Sequence, residues 1–301
     1  MSNYQLGLII NSCISVITVT GVFAVTGLAG MFSLGQAGYL AISAYVTFIL
    51  ARTFGLPIIV TAFIGVGLSA LSAYIISVPT LKLRKDYFAL ITMGFGQMVT
   101  AMIVLLEKYT NGSIGYSKIP KVKPLFAIVI IITVLVVFCI RNLKYSRFGR
   151  MCIALKTDEI AAKSFGIDVY KLKLRMYVLA SAIAGIAGIL FGLKNRVILP
   201  DSFGWNLSAE MQIFLFFGGT NSITGAVFSG FFLKLLPELF RTVKLFGQSL
   251  QEYRTIIYCI LILLVINFRP NGMLGEHEIS FAWVKKLFAK QDRMMKKGRS
   301  Q

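Results

Sequence analysis

Residues 125–140 read LFAIVIIITVLVVFCI. The run carries no charge and no alternation. A strand of a membrane barrel would switch between apolar and polar at every second residue, and this stretch does not. With its flanks it approaches the ~20 residues a helix needs to cross a bilayer core of ~30 Å. Residues 125–140 are therefore expected to be a transmembrane helix.

Working outward, about nine apolar elements follow one another, near 6–26, 31–51, 57–79, 87–106, 124–140, 176–193, 207–219, 222–240 and 254–268, most of them near the ~20-residue span length. Across the whole chain 56% of residues are hydrophobic and 14% charged, against roughly 25% charged in a soluble domain. The expected fold class is an all-α polytopic membrane protein, a bundle of about 8–10 transmembrane helices with broken or re-entrant segments. The membrane domain is expected over 1–276, with a polar cytoplasmic loop at about 141–175 and a basic cytoplasmic tail at 277–301. No basic region precedes the first apolar run, so no cleavable signal peptide is expected.

The net charge is +19. No nucleic-acid recognition motif accompanies it, and the basic residues cluster between apolar runs, as the positive-inside rule requires of cytoplasmic loops. Interval 141–175 holds Arg141, Lys144, Arg147, Arg150, Lys156, Lys163, Lys171, Lys173 and Arg175 against Asp158, Glu159 and Asp168. The turn at 81–86 and the tail belong on the same side. Intervals 107–123 and 194–206 then fall outside. Counting back from residue 81 gives an odd number of crossings and an external residue 1, unless the glycine-rich stretch 27–38 is re-entrant.

Most enzymatic chemistry is missing. There is no GxxxxGK[ST] phosphate loop, no HExxH and no GxSxG. The single histidine, His277, cannot build a multi-histidine metal site, and Cys13, Cys139, Cys152 and Cys259 are scattered. No metal and no cofactor are expected. Intramembrane carboxylates are the usual sign of ion coupling, and Glu107, Asp201, Glu210, Glu238 and Glu252 are expected at segment ends or in loops. Lys234 lies deeper, and a lysine there can snorkel toward the interface. Energy for uphill transport would then have to come from a partner.

Two stretches mix glycine with polar residues inside apolar surroundings: GLAGMFSLGQAG (27–38) and FFGGTNSITGAVFSG (216–230). Paired interrupted segments of this kind mark a translocation pathway in transporters; small residues also simply let helices pack closely. Both readings stand. The pathway candidates are Ser33, Gln36, Gln97, Thr220 and Asn221. The hinge or packing glycines are Gly27, Gly30, Gly35, Gly218, Gly219 and Gly225.

Residues 155–173, LKTDEIAAKSFGIDVYKLK, interrupt the apolar pattern. Thr157 is a candidate cap. Asp158 and Glu159 suit the first turn of a helix and Lys163 the last. Gly166 suits the left-handed closing position. A helix of about two turns is too short to persist alone, so it needs a packing partner. Ala161 and Phe165 share one face, flanked by Ile160 and Ala162. The helix either enters a groove on another protein or lies as an elbow on its own membrane domain.

The segment DEIAAKSFG resembles the EAA loop of ATP-binding cassette importer permeases. Together with TGLAGMFSLGQAGYLAISAYV (26–46), LRKDYFALITMGFGQM (83–98), GRMCIALKTDEIAAKSFGIDVYKLKLRMYVLASAIAGIAGILFG (149–192), FGGTNSITGAVFSGFFLKLLPEL (217–239) and RPNGMLGE (269–276), it makes nearly the whole chain similar to the LivM/LivH-type branched-chain amino acid permeases, the LivM side above all. The resemblance implies an importer permease of the bacterial cytoplasmic (inner) membrane. It would be paired with a homologous LivH-like permease and two ABC ATPase subunits, fed by an extracytoplasmic amino-acid-binding protein and surrounded by membrane lipid, with no nucleic acid. It implies leucine, isoleucine or valine as substrate; urea and short-chain amide permeases share the pattern, and a stand-alone channel or secondary transporter is the reading from another class. In this light Asp158, Glu159, Ile160, Ala161, Ala162, Lys163, Phe165 and Gly166 form an ATPase-coupling helix. Gln36 stands where many relatives carry histidine.

Overall fold

The computed structural model describes residues 3–239 except 84 and 118, and isolated positions between 244 and 278 beyond them. It is almost entirely helical. The order is α1 (Asn3–Val22), a π-helical turn (Phe23–Leu28), α2 (Gln36–Thr53), α3 (Ile58–Thr80), α4 (Lys85–Leu105), α5 (Glu107–Thr110), α6 (Leu125–Tyr145), α7 (Arg147–Thr157), α8 (Glu159–Ser164), α9 (Val169–Asn195), α10 (Trp205–Gly218) and α11 (Ile223–Leu239). A two-residue hairpin pairs Lys244–Leu245 with Gln248–Ser249. Among the described residues five helices are long and apolar enough to cross a membrane. Most of the expected 254–268 element, Cys259, and all of the 277–301 tail except Glu278 lie outside the described residues.

The helices sort into two classes by what their apolar surface meets. The spans Tyr4–Leu28 and Val169–Asn195 are 78% and 72% buried inside the bundle, whereas Ile58–Thr80 and Leu125–Tyr145 are 22% and 17% buried. The first pair are central pillars; α3 and α6 are an outer layer. Leucine, isoleucine and phenylalanine side chains along those outer helices, such as Phe63, Ile131 and Phe138, face outward, as residues in contact with lipid do.

Small residues set the distances between the pillars. A Cβ on Gly188 of α9 would overlap the backbone of Leu40 in α2. At the α10–α11 crossing, a Cβ on Gly218 or Gly225 would strike the other's carbonyl. With no hydrophobic drive between helices in lipid, such close approach is a main source of association.

The two ends of the bundle are identifiable. At one end Tyr116 and Ile198 exchange backbone hydrogen bonds of 2.9 and 3.0 Å, and the Tyr45 hydroxyl donates to the Ile198 carbonyl at 3.1 Å. Intervals 107–123 and 194–206 therefore share an end, as charge counting expects. At the other, the Tyr170 hydroxyl donates to the Val78 carbonyl at 3.1 Å, which joins the 81–86 turn to the loop at 141–175. This second end carries the basic clusters. Three crossings, made by α1 with its π turn, α2 and α3, precede residue 81, so residue 3 lies at the end opposite the basic one.

One expected boundary changes. The element placed at 31–51 is helical only from Gln36, because residues 29–35 are unwound, with Gly30 at a left-handed φ of 67°. The break is not a re-entrant pair: it separates two crossings. Replacing Gly225 by valine is expected to cost roughly 3 kcal/mol or more through backbone collision, read as a lower melting temperature of the purified protein. Gly94→Ala, where a Cβ meets nothing within 4 Å, is expected to leave it unchanged or slightly higher.

Candidate functional site

The polar loop folds as α7 followed by α8. Asp158, in extended conformation between them, caps α8: its Oδ1 accepts from the amides of Ile160 and Ala161 at 2.8 and 3.0 Å. This corrects the expectation that Thr157 is the cap. Thr157 ends α7, and its hydroxyl donates back to the Ile153 carbonyl at 3.0 Å. At the far end Gly166 takes φ 77°. Its amide donates to Lys163 O at 2.9 Å and the Ile167 amide donates to Ala162 O at 3.2 Å. These are the paired bonds of a Schellman closure. A helix of barely two turns is thus closed at both ends by its own sequence.

Its packing faces are set by side-chain contacts. Ala162, not the Ala161/Phe165 face, is buried against the membrane domain. Glu159 turns the same way and accepts from Lys173 Nζ of α9 at 2.8 Å, with Lys163 at 3.7 Å. Ile160 and Phe165 point outward, 79% and 86% exposed. Large apolar side chains in such positions on a polar end are what a protein interface uses. Beside α8 runs an open groove of about 500 Å³ lined by residues including Lys82, Leu83, Lys163, Tyr170 and Lys173. The adjoining Cys152 of α7 is fully buried, and burial pushes its thiol up to about 12; it is an apolar filler.

α7 is joined to both glycine-rich stretches. Lys156 Nζ donates to Gly27 O at 2.9 Å and to Asn221 Oδ1 at 2.6 Å. Lys144, at the end of α6, donates to Asn221 O and to Glu278. The Glu278 carboxylate also accepts from the Ile223 amide at 3.0 Å, at the start of α11. The break between α10 and α11, with Gly219 at φ 112°, is closed from the chain's far end: the Met273 and Leu274 amides donate to Phe217 O and Gly218 O at 2.9 and 3.3 Å.

The pathway candidates do not gather in one place. Ser33 and Gln36 are buried together near the bundle centre. The Ser33 hydroxyl meets Tyr177 OH at 3.3 Å, and Tyr39 OH donates to Tyr177 OH at 3.1 Å. Neither amide atom of Gln36 has a partner. Gln97 is exposed on α4. Thr220 and Asn221 stand at the basic end, beside Gly27 and Lys156. Reasoning from sequence missed Gln212, whose Nε2 donates to Thr26 Oγ1 at 3.1 Å and to Ser33 O at 2.9 Å while its Oε1 is buried and unpaired. It also missed Thr92 and Ser208, which accept from the Leu34 and Ala37 amides at 3.2 and 2.9 Å. The signal was available for Gln212: it is a lone amide inside the apolar run of α10.

Lys234 has an acidic partner. Its Nζ lies 2.9 Å from Glu210 Oε1 across the α10–α11 crossing. Glu210 sits in the second turn of α10, which starts at Trp205.

This architecture has known relatives. The family model described as "Branched-chain amino acid transport system / permease component" matches residues 4–266. The high-affinity branched-chain amino acid transport system permease protein LivM of Escherichia coli is 29% identical over 294 residues, covering 87% of this chain and 68% of that one. The permease protein LivH of the same organism is 26% identical over 305 residues, covering 91% and 94%. A probable LivM of Methanocaldococcus jannaschii is 25% identical over 244 residues, covering 74% and 69%. In fold, the chain resembles a chain of PsaBC from Streptococcus pneumoniae, solved in complex with Fab, at a TM-score of 0.50 and 14% identity over 88% of this chain and 92% of that one. With the matched region spanning most of its length, the chain belongs to the permease family of branched-chain amino acid transport systems.

Proposed function

We propose that the chain is the membrane-spanning permease subunit of an ATP-binding cassette importer that carries leucine, isoleucine and valine across the bacterial cytoplasmic membrane. It works beside a homologous permease, above two ATPase subunits and below an external amino-acid-binding protein. The observation that carries this reading is α8: a helix rigidly closed by Asp158 and Gly166, tied inward through Glu159 to Lys173, and presenting Ile160 and Phe165 outward.

In this reading Ile160 and Phe165 enter a cleft on one of the two ATPases, and the basic groove beside them receives the cleft's rim. The contact face is therefore the apolar one; the Glu159 side is committed to its own membrane domain. Movement of α8 passes to α7 and, through Lys156, to Gly27 and Asn221, where the two membrane breaks begin. A rigid lever ending on two flexible points can tilt the central helices without breaking their interior packing.

Replacing Ile160 and Phe165 by serine removes two exposed apolar contacts and leaves the fold intact. It is expected to weaken ATPase docking by about 2 kcal/mol or more, roughly thirtyfold in affinity, measured by co-purification, with leucine uptake in vesicles falling in step. Unchanged docking and uptake would reject the assignment of α8. Lys156→Met is expected to leave docking intact but to separate the two activities: ATP hydrolysis by the assembled complex persists while leucine uptake falls several-fold.

A further inference from the structure

The Glu210–Lys234 pair has no evident structural purpose. Its side chains are 28% and 35% exposed, and a partly buried ion pair seldom stabilises more than an apolar pair of the same volume. In helices that associate through small residues, leucine or alanine would serve. Yet the two charges sit inside the transmembrane layer, at the end opposite α8.

The pair borders a cavity of about 210 Å³ between α1, α2, α9, α10 and α11. Helix direction orders its walls. Asn11, Asn195 and the ion pair lie toward the end that carries Ile198. Leu40, Phe191 and Phe214 lie about one to two turns deeper, at 1.5 Å per residue. The cavity is charged at its mouth and apolar below. One helical turn from Leu40 toward the basic end stands Gln36, fully buried with both amide atoms unpaired, and the free Gln212 Oε1 is also buried. Buried amide groups without partners are costly and are explained where a polar ligand passes.

We propose that Glu210 and Lys234 are a transient binding site for a free zwitterionic amino acid within the membrane domain. The ligand's ammonium takes the Glu210 carboxylate, its carboxylate takes Lys234, and its apolar side chain fills the space between Leu40, Phe191 and Phe214. Without ligand the two residues neutralise each other; with ligand each exchanges one partner for another of the same sign. No net charge is added to the apolar layer, so a zwitterion enters at little electrostatic cost while a free cation or anion leaves one residue unpaired. This proposal rests on the transport function argued above and adds a site in this chain.

The test uses the complete complex, with its partner permease, ATPases and binding protein, in proteoliposomes. Uptake of radiolabelled leucine and basal ATP hydrolysis are measured for wild type, Glu210→Gln, Lys234→Met and the charge exchange Glu210→Lys with Lys234→Glu. The single variants are expected to keep hydrolysis within about twofold and to lose uptake by about tenfold or more, the scale for removing one partner of a desolvated charge contact. The exchange restores the ion pair, and with it assembly and melting temperature. Uptake stays low because a reversed zwitterion turns its side chain away from Phe191 and Phe214. Uptake near the wild-type rate in the single variants, or full rescue of uptake by the exchange, overturns the site and leaves a structural ion pair. Where a single variant fails to assemble, the exchange variant decides by the same criterion. A wild-type complex that hydrolyses ATP and moves no leucine would instead reject the transport function itself.

Discussion

The unwound segment at 29–35 is the constraint on which the rest of the bundle depends. A backbone without helical hydrogen bonds cannot face lipid, where each unsatisfied amide or carbonyl costs several kcal/mol. Here neighbouring helices supply the partners. Thr92 of α4 accepts from Leu34, Ser208 of α10 accepts from Ala37, and Gln212 of α10 donates to Ser33 O. Thr26, in the π turn, donates to Met31 O at 3.0 Å. The helices that do this work cannot drift apart without orphaning the break. Close glycine crossings at Gly188 and Gly218/Gly225 hold them at the distance those short bonds require. Packing and polar satisfaction therefore enforce one another, which explains why glycine and hydroxyl residues sit together in otherwise apolar runs.

The second break, after Gly218, is closed differently. Its carbonyls are met by amides from Met273 and Leu274, and the start of α11 is capped by Glu278. One break is satisfied by side chains within the membrane, the other by chain returning from near residue 273 at the basic end. The distinction follows depth: α10 ends where polar backbone from a loop can reach it, whereas Ser33 and Gln36 lie too deep.

The span pattern, the sharing of ends by 107–123 and 194–206, and the position of the short helix within 155–173 were legible in the sequence. Those features depend on local runs of hydrophobicity, on charge and on the αL preference of Gly166, all of which act within a few residues. Which face of α8 is free was not legible. Ala161 and Ala162 are chemically equal, and only the position of α9 decides that Ala162 is covered. The cap was ambiguous for a related reason: Thr157 and Asp158 are both good caps, and the end of α7 settles the choice. The Lys234–Glu210 pairing was not legible because the two residues lie 24 apart in sequence and are brought together by a helix crossing. Gln97 and Gln212 look alike in sequence; rotation about their helix axes puts one outside and the other in the centre.

The two polar systems of the bundle lie at different depths and respond to different forces. At the basic end Lys144, Lys156, Asn221 and Glu278 connect α6 and α7 to both breaks through charge-assisted bonds. Those bonds are strong enough to hold a geometry, yet they cluster on loop termini where a few dihedral changes suffice to move them. Toward the opposite end, Glu210 and Lys234 form a single pair on rigid helices. Between the two lies the Ser33–Gln36–Gln212 centre, buried and only partly satisfied. α7 connects to this centre through Lys156, Gly27 and the π turn, because Thr26 is both the neighbour of Gly27 and a hydrogen-bond partner of Gln212. Thr26, bonded to Gln212 of this partly satisfied centre, thus stands one residue from the carbonyl that Lys156 holds.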